Sequence, residues 1–240
     1  MLIYKNLVLI GTSHISPESV KEVELEVIRN KPDVVAIELD LARFKAMMSN
    51  KKRKISFKDI RKIGVKGFLI TLIGGYVERK LGKLTGVAPG SEMIKAIKVS
   101  RKINCDLALI DDDIGKVMKR LGKGISWREK LRFVWELIKS PFSRTRVKFD
   151  LNKVPSKKVI NKLTSKLKED YPSVYKILIE ERNHYLANNL RKLMEKYGKV
   201  IGVVGAGHED EIVNLIKKGS LIKTKVIIIS KDKLKVDDVD

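Results

Sequence analysis

Two stretches at opposite ends of the chain share one local order of residues, and this echo constrains the fold more than any other feature. Leu7–Ile10 is a short apolar run of the kind found in strands buried on both faces. Gly11-Thr12-Ser13-His14 follows it, and Ser16-Pro17-Glu18 has the make-up of a helix start, with Ser16 as N-cap and Pro17 in the first turn. Val20, Val23, Val27 and Ile28 recur at helical spacing, Lys31-Pro32-Asp33 ends the helix, and Val34–Ile37 supplies the next strand. Near the other end the order returns. An apolar run at Val200–Val204 leads into Gly205-Ala206-Gly207-His208, then a helix predicted over Asp210–Lys217 and a strand over Lys225–Ile229. Such strand–helix–strand units favour parallel crossovers. The expected fold class is therefore α/β, with a central mixed, partly parallel sheet. Between the two units lie a strand at Leu107–Ile110 and long helices, one running from about Ser173 to Tyr197.

Open α/β sheets bind ligands at the carboxyl ends of their strands, where loops diverge and helix N-termini point. His14 and His208 both fall there, each three residues after a glycine. Gly11 and Gly205 would let the chain turn with φ > 0 and keep the backbone close to a ligand. A bland alternative stands beside this one: each histidine caps a helix or packs against the sheet. Carboxylates collect at the same edge. Glu38 directly follows Val34–Ile37, and Asp40 alternates with it along an extended chain. Asp111, Asp112 and Asp113 follow Leu107–Ile110 in the same way. Glu92, behind Ser91 as a potential N-cap, sits in a first helical turn, where a carboxylate is also favoured for structural reasons alone. Histidine and carboxylate from separate strand ends suit a divalent metal such as Mn, Zn or Co. Glu38 could alternatively act as general base on a water. His184 lies in a helical ERNHYLANNL segment, where a polar face is the simpler reading, with Arg182 as the better site residue.

The charge is strongly uneven. The chain carries 51 lysines and arginines against 29 acids, a formal net charge of +22. Residues 43–83 hold 13 bases and 2 acids, and 114–170 hold 17 and 5, whereas the β-like segments are near neutral. We therefore expect one domain over 1–240: an α/β core from 1–42, 84–113 and 171–240, with basic helical insertions at 43–83 and 114–170. Such a field attracts phosphates, anionic lipid surfaces or acidic proteins, although scattered bases also serve simply as a solvated surface. No zinc-finger spacing or aromatic RNA-binding signature points to specific nucleic-acid recognition. One cysteine, Cys105, excludes an intrachain disulfide. The longest charge-free apolar stretch, Gly67 to Val77, is about half of the roughly 20 residues a spanning helix needs. The first residues lack a basic leader and a cleavage pattern, so the expected compartment is cytoplasmic, with attachment peripheral to a membrane as an option.

Taken in order, GTSHIS, PDVVAIELD, PGSEMIKAI, ERNHYLANNL and VVGAGHEDEI resemble the TraB family. That family includes pheromone-shutdown proteins of bacterial conjugative plasmids and archaeal homologues. It is similar to the Tiki metalloproteases and, more widely, to erythromycin-esterase-like and ChaN-like proteins. The resemblance covers nearly the whole chain. It implies an α/β fold with a cleft at the GxxH loops and, from Tiki, divalent-metal-dependent peptide hydrolysis. On that basis His14 and His208 match the paired GxxH histidines and Glu38 the strand-end glutamate. Glu92 matches the GxEM glutamate, and Arg182 the arginine of the ER(D/N) helix motif. Two departures stand out. Many members have Asp-Arg where this chain has Asp111-Asp112, and many carry C-terminal membrane helices, with no counterpart here after Ile229.

The expected activity is a peptide hydrolase. His14, His208 and a carboxylate, Glu92, would hold a divalent metal (Mn, Co or Zn). Glu38 would activate the attacking water, and Arg182 would stabilise the oxyanion. Secondary candidates are Gly11, Gly205, Asp112 and His184. Two rivals are a protein that sequesters a peptide without cutting it and a basic adaptor at an anionic membrane surface. The long amphipathic helices also allow a homodimer.

Overall fold

Along each central strand, neighbouring side chains alternate between two apolar layers, because successive residues of an extended chain point to opposite faces. Val8, Ile10, Val35, Ile37, Leu107, Leu109, Ile201 and Val203 enter one layer. Leu7, Leu9, Val34, Ala36, Ala108, Ile110, Val200 and Val204 enter the other. Both faces being covered explains why these strands read as unbroken apolar runs. The coordinates are a computed structural model, and the structure describes residues 1–13, 16–49, 88, 90–139, 154, 156–219 and 222–235. His14, Pro89, most of the basic segment 43–83 and the Gly67–Val77 stretch lie outside the described residues.

The strands are β1 (Leu2–Tyr4), β2 (Leu7–Thr12), β3 (Val34–Ile37), β4 (Asp106–Leu109), β5 (Val200–Gly205) and β6 (Ile227–Ile229). They form one sheet in the order β1-β2-β5-β3-β4-β6. The four inner strands are parallel, and each edge strand is antiparallel to its neighbour. On one face lie α1 (Pro17–Asn30) and α3 (Ser91–Lys102), whose Val23, Val27, Met93, Ala96 and Ile97 are buried. On the other lie α8 (Glu181–Lys196) and α9 (Glu209–Lys218), through Leu186, Leu190, Leu193, Ile212 and Ile216. Gly202 makes room there. A Cβ on it would stand 2.7 Å from Leu9 Cδ1 and 3.1 Å from Leu190 Cδ2. The expected mixed α/β sheet is therefore observed.

The remaining helices are α2 (Leu41–Met48), α4 (Ile114–Gly124), α5 (Trp127–Lys139), α6 (Lys157–Asp170) and α7 (Pro172–Tyr175). Three of them, α4, α5 and α6, lie within the basic segment 114–170. Val117 and Leu121 of α4 close over Ile177 in a small separate cluster. Ser126 and Glu129 form a reciprocal capping box at the start of α5, and the other oxygen of Glu129 takes the Ser173 N–H at 2.7 Å.

Several sequence expectations need correction. The two terminal units are not equivalent. β2, α1 and β3 form a crossover that skips one strand, and β5 fills the gap between β2 and β3. With both neighbours of β5 taken, the chain after α9 can only join an edge, so β6 is short, antiparallel and paired with β4. Gly11 and Gly205 lie inside β2 and β5, and neither is among the positive-φ glycines. Ser16 occupies the N-cap position of α1 without a side-chain cap bond. Gly90, at φ 84°, takes the N-cap of α3 in place of Ser91, and Ser91 bonds back to Ala88. The single helix expected over 173–197 contains a π-helical segment, Lys176–Glu180, between α7 and α8.

Candidate functional site

The parallel strands bring their carboxyl ends to one rim, and α1, α2, α4 and α9, which follow those strands, have their N-termini there. Glu38 extends the β3 ladder by one residue, its N–H donating to Val203 O at 3.1 Å. Its side chain is 3% exposed. Oε2 accepts the Gly205 N–H at 2.7 Å, and Oε1 accepts from Arg182 Nη2 at 2.5 Å. Arg182 is the second residue of α8, directly after the π-segment. Such a segment changes the rotational phase of the helix beyond it, and π-bulges occur frequently at functional sites. The same guanidinium grips Asp111, with Nε 3.2 Å from Oδ1 and Nη2 2.6 Å from Oδ2.

Asp111 receives a second arginine. Arg43 Nη2 donates to Asp111 Oδ2 and, at 3.2 Å, to the Glu38 carbonyl. Arg43 Nε holds Asp40 Oδ2 at 2.8 Å. Asp40 in turn caps α2, accepting from Ala42 N and Arg43 N. The result is an alternating chain, Asp40–Arg43–Asp111–Arg182–Glu38, across the ends of β3 and β4 and the starts of α2 and α8. Burial alone would push the Arg182 guanidinium down, but Glu38 and Asp111 outweigh it and hold it above its ordinary value. Among the described residues no acceptor bonds Arg182 Nη1.

His208 closes the Glu38 end. It is 6% exposed and stands at the N-cap position of α9. Its Nδ1 lies 2.5 Å from Asn183 Oδ1, in the first turn of α8. With the Asn183 amide placed so, Nδ1 carries the proton and Nε2 turns to Glu38 Oε1 at 3.8 Å. That separation is too long for a direct hydrogen bond but close enough for an ion pair with the imidazolium form.

The structure thus brings together Glu38, Arg182, His208 and Gly205. Gly205 contributes its amide rather than a turn. Gly11 permits a close approach: a Cβ there would lie 2.8 Å from Glu209 Oε2 and 3.1 Å from Ala206 Cα. Glu92 is fully buried in the first turn of α3. Asp112 belongs to a different contact, accepting Arg120 Nη2 at 2.7 Å, while Asp113 caps α4. His184 is half-buried, about 200° around α8 from Arg182. Sequence reasoning did not single out Arg43, Asp111 or Asn183. The Asp40-to-Arg43 spacing at a helix start was a usable signal for the first. Nothing in three consecutive aspartates says which one faces the rim.

Among the described residues no group of three or more His, Cys, Asp or Glu side chains could hold a divalent ion. Glu38 and Asp111 are bridged by guanidinium groups that an ion would have to displace. The described donors alone do not make up a metal site, and His14, one of the expected ligands, lies outside them.

These features define an α/β domain with an ion-pair chain, its carboxylates buried and its arginines partly exposed, at the carboxyl rim of a mixed sheet. The model of the TraB/PrgY/gumN family matches residues 4–219, and the chain belongs to that family. It is 36% identical over 214 residues to an uncharacterized protein of Methanocaldococcus jannaschii, covering 89% of this chain and 54% of that one. It is 25% identical over 228 residues to the TraB domain-containing proteins of Bos taurus and Homo sapiens, covering 83% of this chain and 59% and 60% of theirs. The chain thus spans just over half the length of these relatives. Among the described residues no helix is long and apolar enough to cross a membrane.

Proposed function

We propose that the rim cluster is a hydrolytic site for peptide-like amides. The observation that carries this reading is Arg182, held between Glu38 and Asp111, with His208 Nε2 facing the same Glu38 oxygen that Arg182 grips. A cationic donor fixed beside an imidazole–carboxylate pair is the arrangement an acyl-transfer reaction uses. Asn183 fixes the tautomer with the proton on Nδ1, so His208 Nε2 takes a proton from the attacking water, and Glu38 stands beside the imidazolium that results. The water oxygen bonds to the carbonyl carbon, the C–N bond breaks, and the proton passes to the leaving amine. Arg182 Nη1 would meet the oxygen on which negative charge develops. No step is routed through a metal ion here, because His14, one of the two expected histidine ligands, lies outside the described residues.

The test is to incubate the full chain with a peptide library, with and without Mn, Co or Zn, and to read the products by mass spectrometry. Cleavage that is lost in His208→Gln while the circular dichroism spectrum is kept supports the reading. Intact peptides that nevertheless bind saturably would replace it with capture of a peptide. Stoichiometric Mn, Co or Zn in the purified protein, lost in His208→Gln, would overturn the metal-free step and restore the ligand set of His14 and His208.

A further inference from the structure

Away from the rim, α5 carries a second feature that the hydrolytic reading does not use. Trp127, Leu131 and Trp135 recur every four residues and are 75%, 63% and 58% exposed. At 100° per residue they form one stripe about 80° wide. The helix is fixed with that stripe outward. Glu129, roughly opposite, is 4% exposed and holds the Ser126 and Ser173 amides. Bases flank the stripe on both sides, with Arg128 and Arg132 along one edge and Lys130 along the other. Lys130 Nζ lies 5.5 Å above the Trp127 ring. Arg132 is itself ion-paired to Asp170 of α6, in a groove that also holds Lys162, Lys166 and Glu169, so Arg128 and Lys130 are the bases this stripe offers to an anionic surface.

From this we infer that α5 docks on an anionic lipid bilayer, with Trp127, Leu131 and Trp135 entering the interface and the flanking bases meeting lipid phosphates. Tryptophan and leucine on one helical face with lysine and arginine beside them is the composition that lies in a headgroup boundary. The charge selects the occupant. Residues 114–170 hold 17 bases and 5 acids, so an anionic surface is attracted. A second copy of the chain would bring the same positive field against it. This inference is independent of the hydrolytic reading and concerns a different face.

Trp127 and Trp135 are the only two tryptophans of the chain, so its tryptophan fluorescence reports on this helix alone. The full chain is mixed with vesicles of phosphatidylcholine, or of equal parts phosphatidylcholine and phosphatidylglycerol, at low and high salt. The expected result is a blue-shifted emission with the anionic vesicles only, quenched by brominated acyl chains and weakened by salt. Leu131→Glu keeps both tryptophans and should lower vesicle partitioning by at least about tenfold, with an unchanged circular dichroism spectrum. Three outcomes would overturn the inference. One is absence of binding, and another is co-sedimentation without spectral shift or quenching, which is adsorption through charge alone. The third is a blue shift that follows protein concentration without vesicles, which assigns the face to a second copy.

Discussion

Replacing Arg182 by methionine removes a guanidinium that is 15% exposed from between two carboxylates that are 3% and 1% exposed. Methionine is close in length, so the main effect is electrostatic. Removing one partner of a buried pair typically costs about 3–5 kcal/mol, because the remaining charge is left without compensation. Both carboxylates keep donors here: Arg43 and the Asp112 amide remain on Asp111, and the Gly205 amide remains on Glu38. We therefore expect the lower end, about 3 kcal/mol, or a fall in Tm of roughly 6–12 °C for a chain of this size. Arg182→Lys should be milder, about 1–2 kcal/mol, since an ammonium keeps the charge but cannot span both carboxylates. Urea denaturation followed by circular dichroism measures each. The decisive variant adds Glu38→Gln to Arg182→Met. Once Glu38 is neutral, losing the arginine should hurt less, with a coupling of about 1–3 kcal/mol. Additive effects, or an Arg182→Met protein within about 0.5 kcal/mol of wild type, would refute the ion-pair chain.

Two further substitutions probe the surroundings. Gly11→Ala forces a Cβ against Glu209 Oε2 and the Ala206 backbone, and should cost about 1–3 kcal/mol by the same urea assay. At the opposite end of the sheet, burial and then the hydrogen bond to Asp106 push the Tyr197 phenol up to about 12. A raised value means that the protonated phenol is favoured in the folded state. Its contribution is complete below the unfolded value near 10 and is lost as pH rises through about 12. Absorbance titration should find a late phenolate that disappears in Tyr197→Phe.

Much of this architecture was legible because burial on both faces leaves so few choices to a strand. β2, β3, β4 and β5 all coincide with apolar runs, although Gly11 and Gly205 lie inside β2 and β5 rather than marking their ends. What local pattern could not give was the destination of the last strand. Ile227–Ile229 reads the same whether it pairs beside β5 or at the outer edge of β4, and only the occupancy of the inner positions decides. The site was legible to the same degree. Glu38 and His208 are fixed at the rim by being the first polar residues beyond apolar strands. Arg43 and Arg182 come from helices, where their direction depends on the phase of α2 and α8. The π-segment before Arg182 alters that phase by an amount that no periodicity in the sequence announces.

The ion-pair chain is hard to account for as a device for stability. Apolar residues of similar volume would cost nothing in desolvation and often serve as well or better than buried ion pairs. Here five charged side chains are gathered at the sheet rim, on elements that are already held by two large apolar layers. Their linkage does something that apolar packing cannot. Each arginine is shared by two carboxylates, so the positions of α2 and α8 are tied to one another through Asp111. Among the described residues Glu38 is the member of that chain that faces the imidazole of His208. A charge arriving beside His208 would act first on Glu38 and Arg182, and through Asp111 on Arg43 and the start of α2. Alternating charge fixed to that degree is what a site needs when it must hold one arrangement while a proton moves.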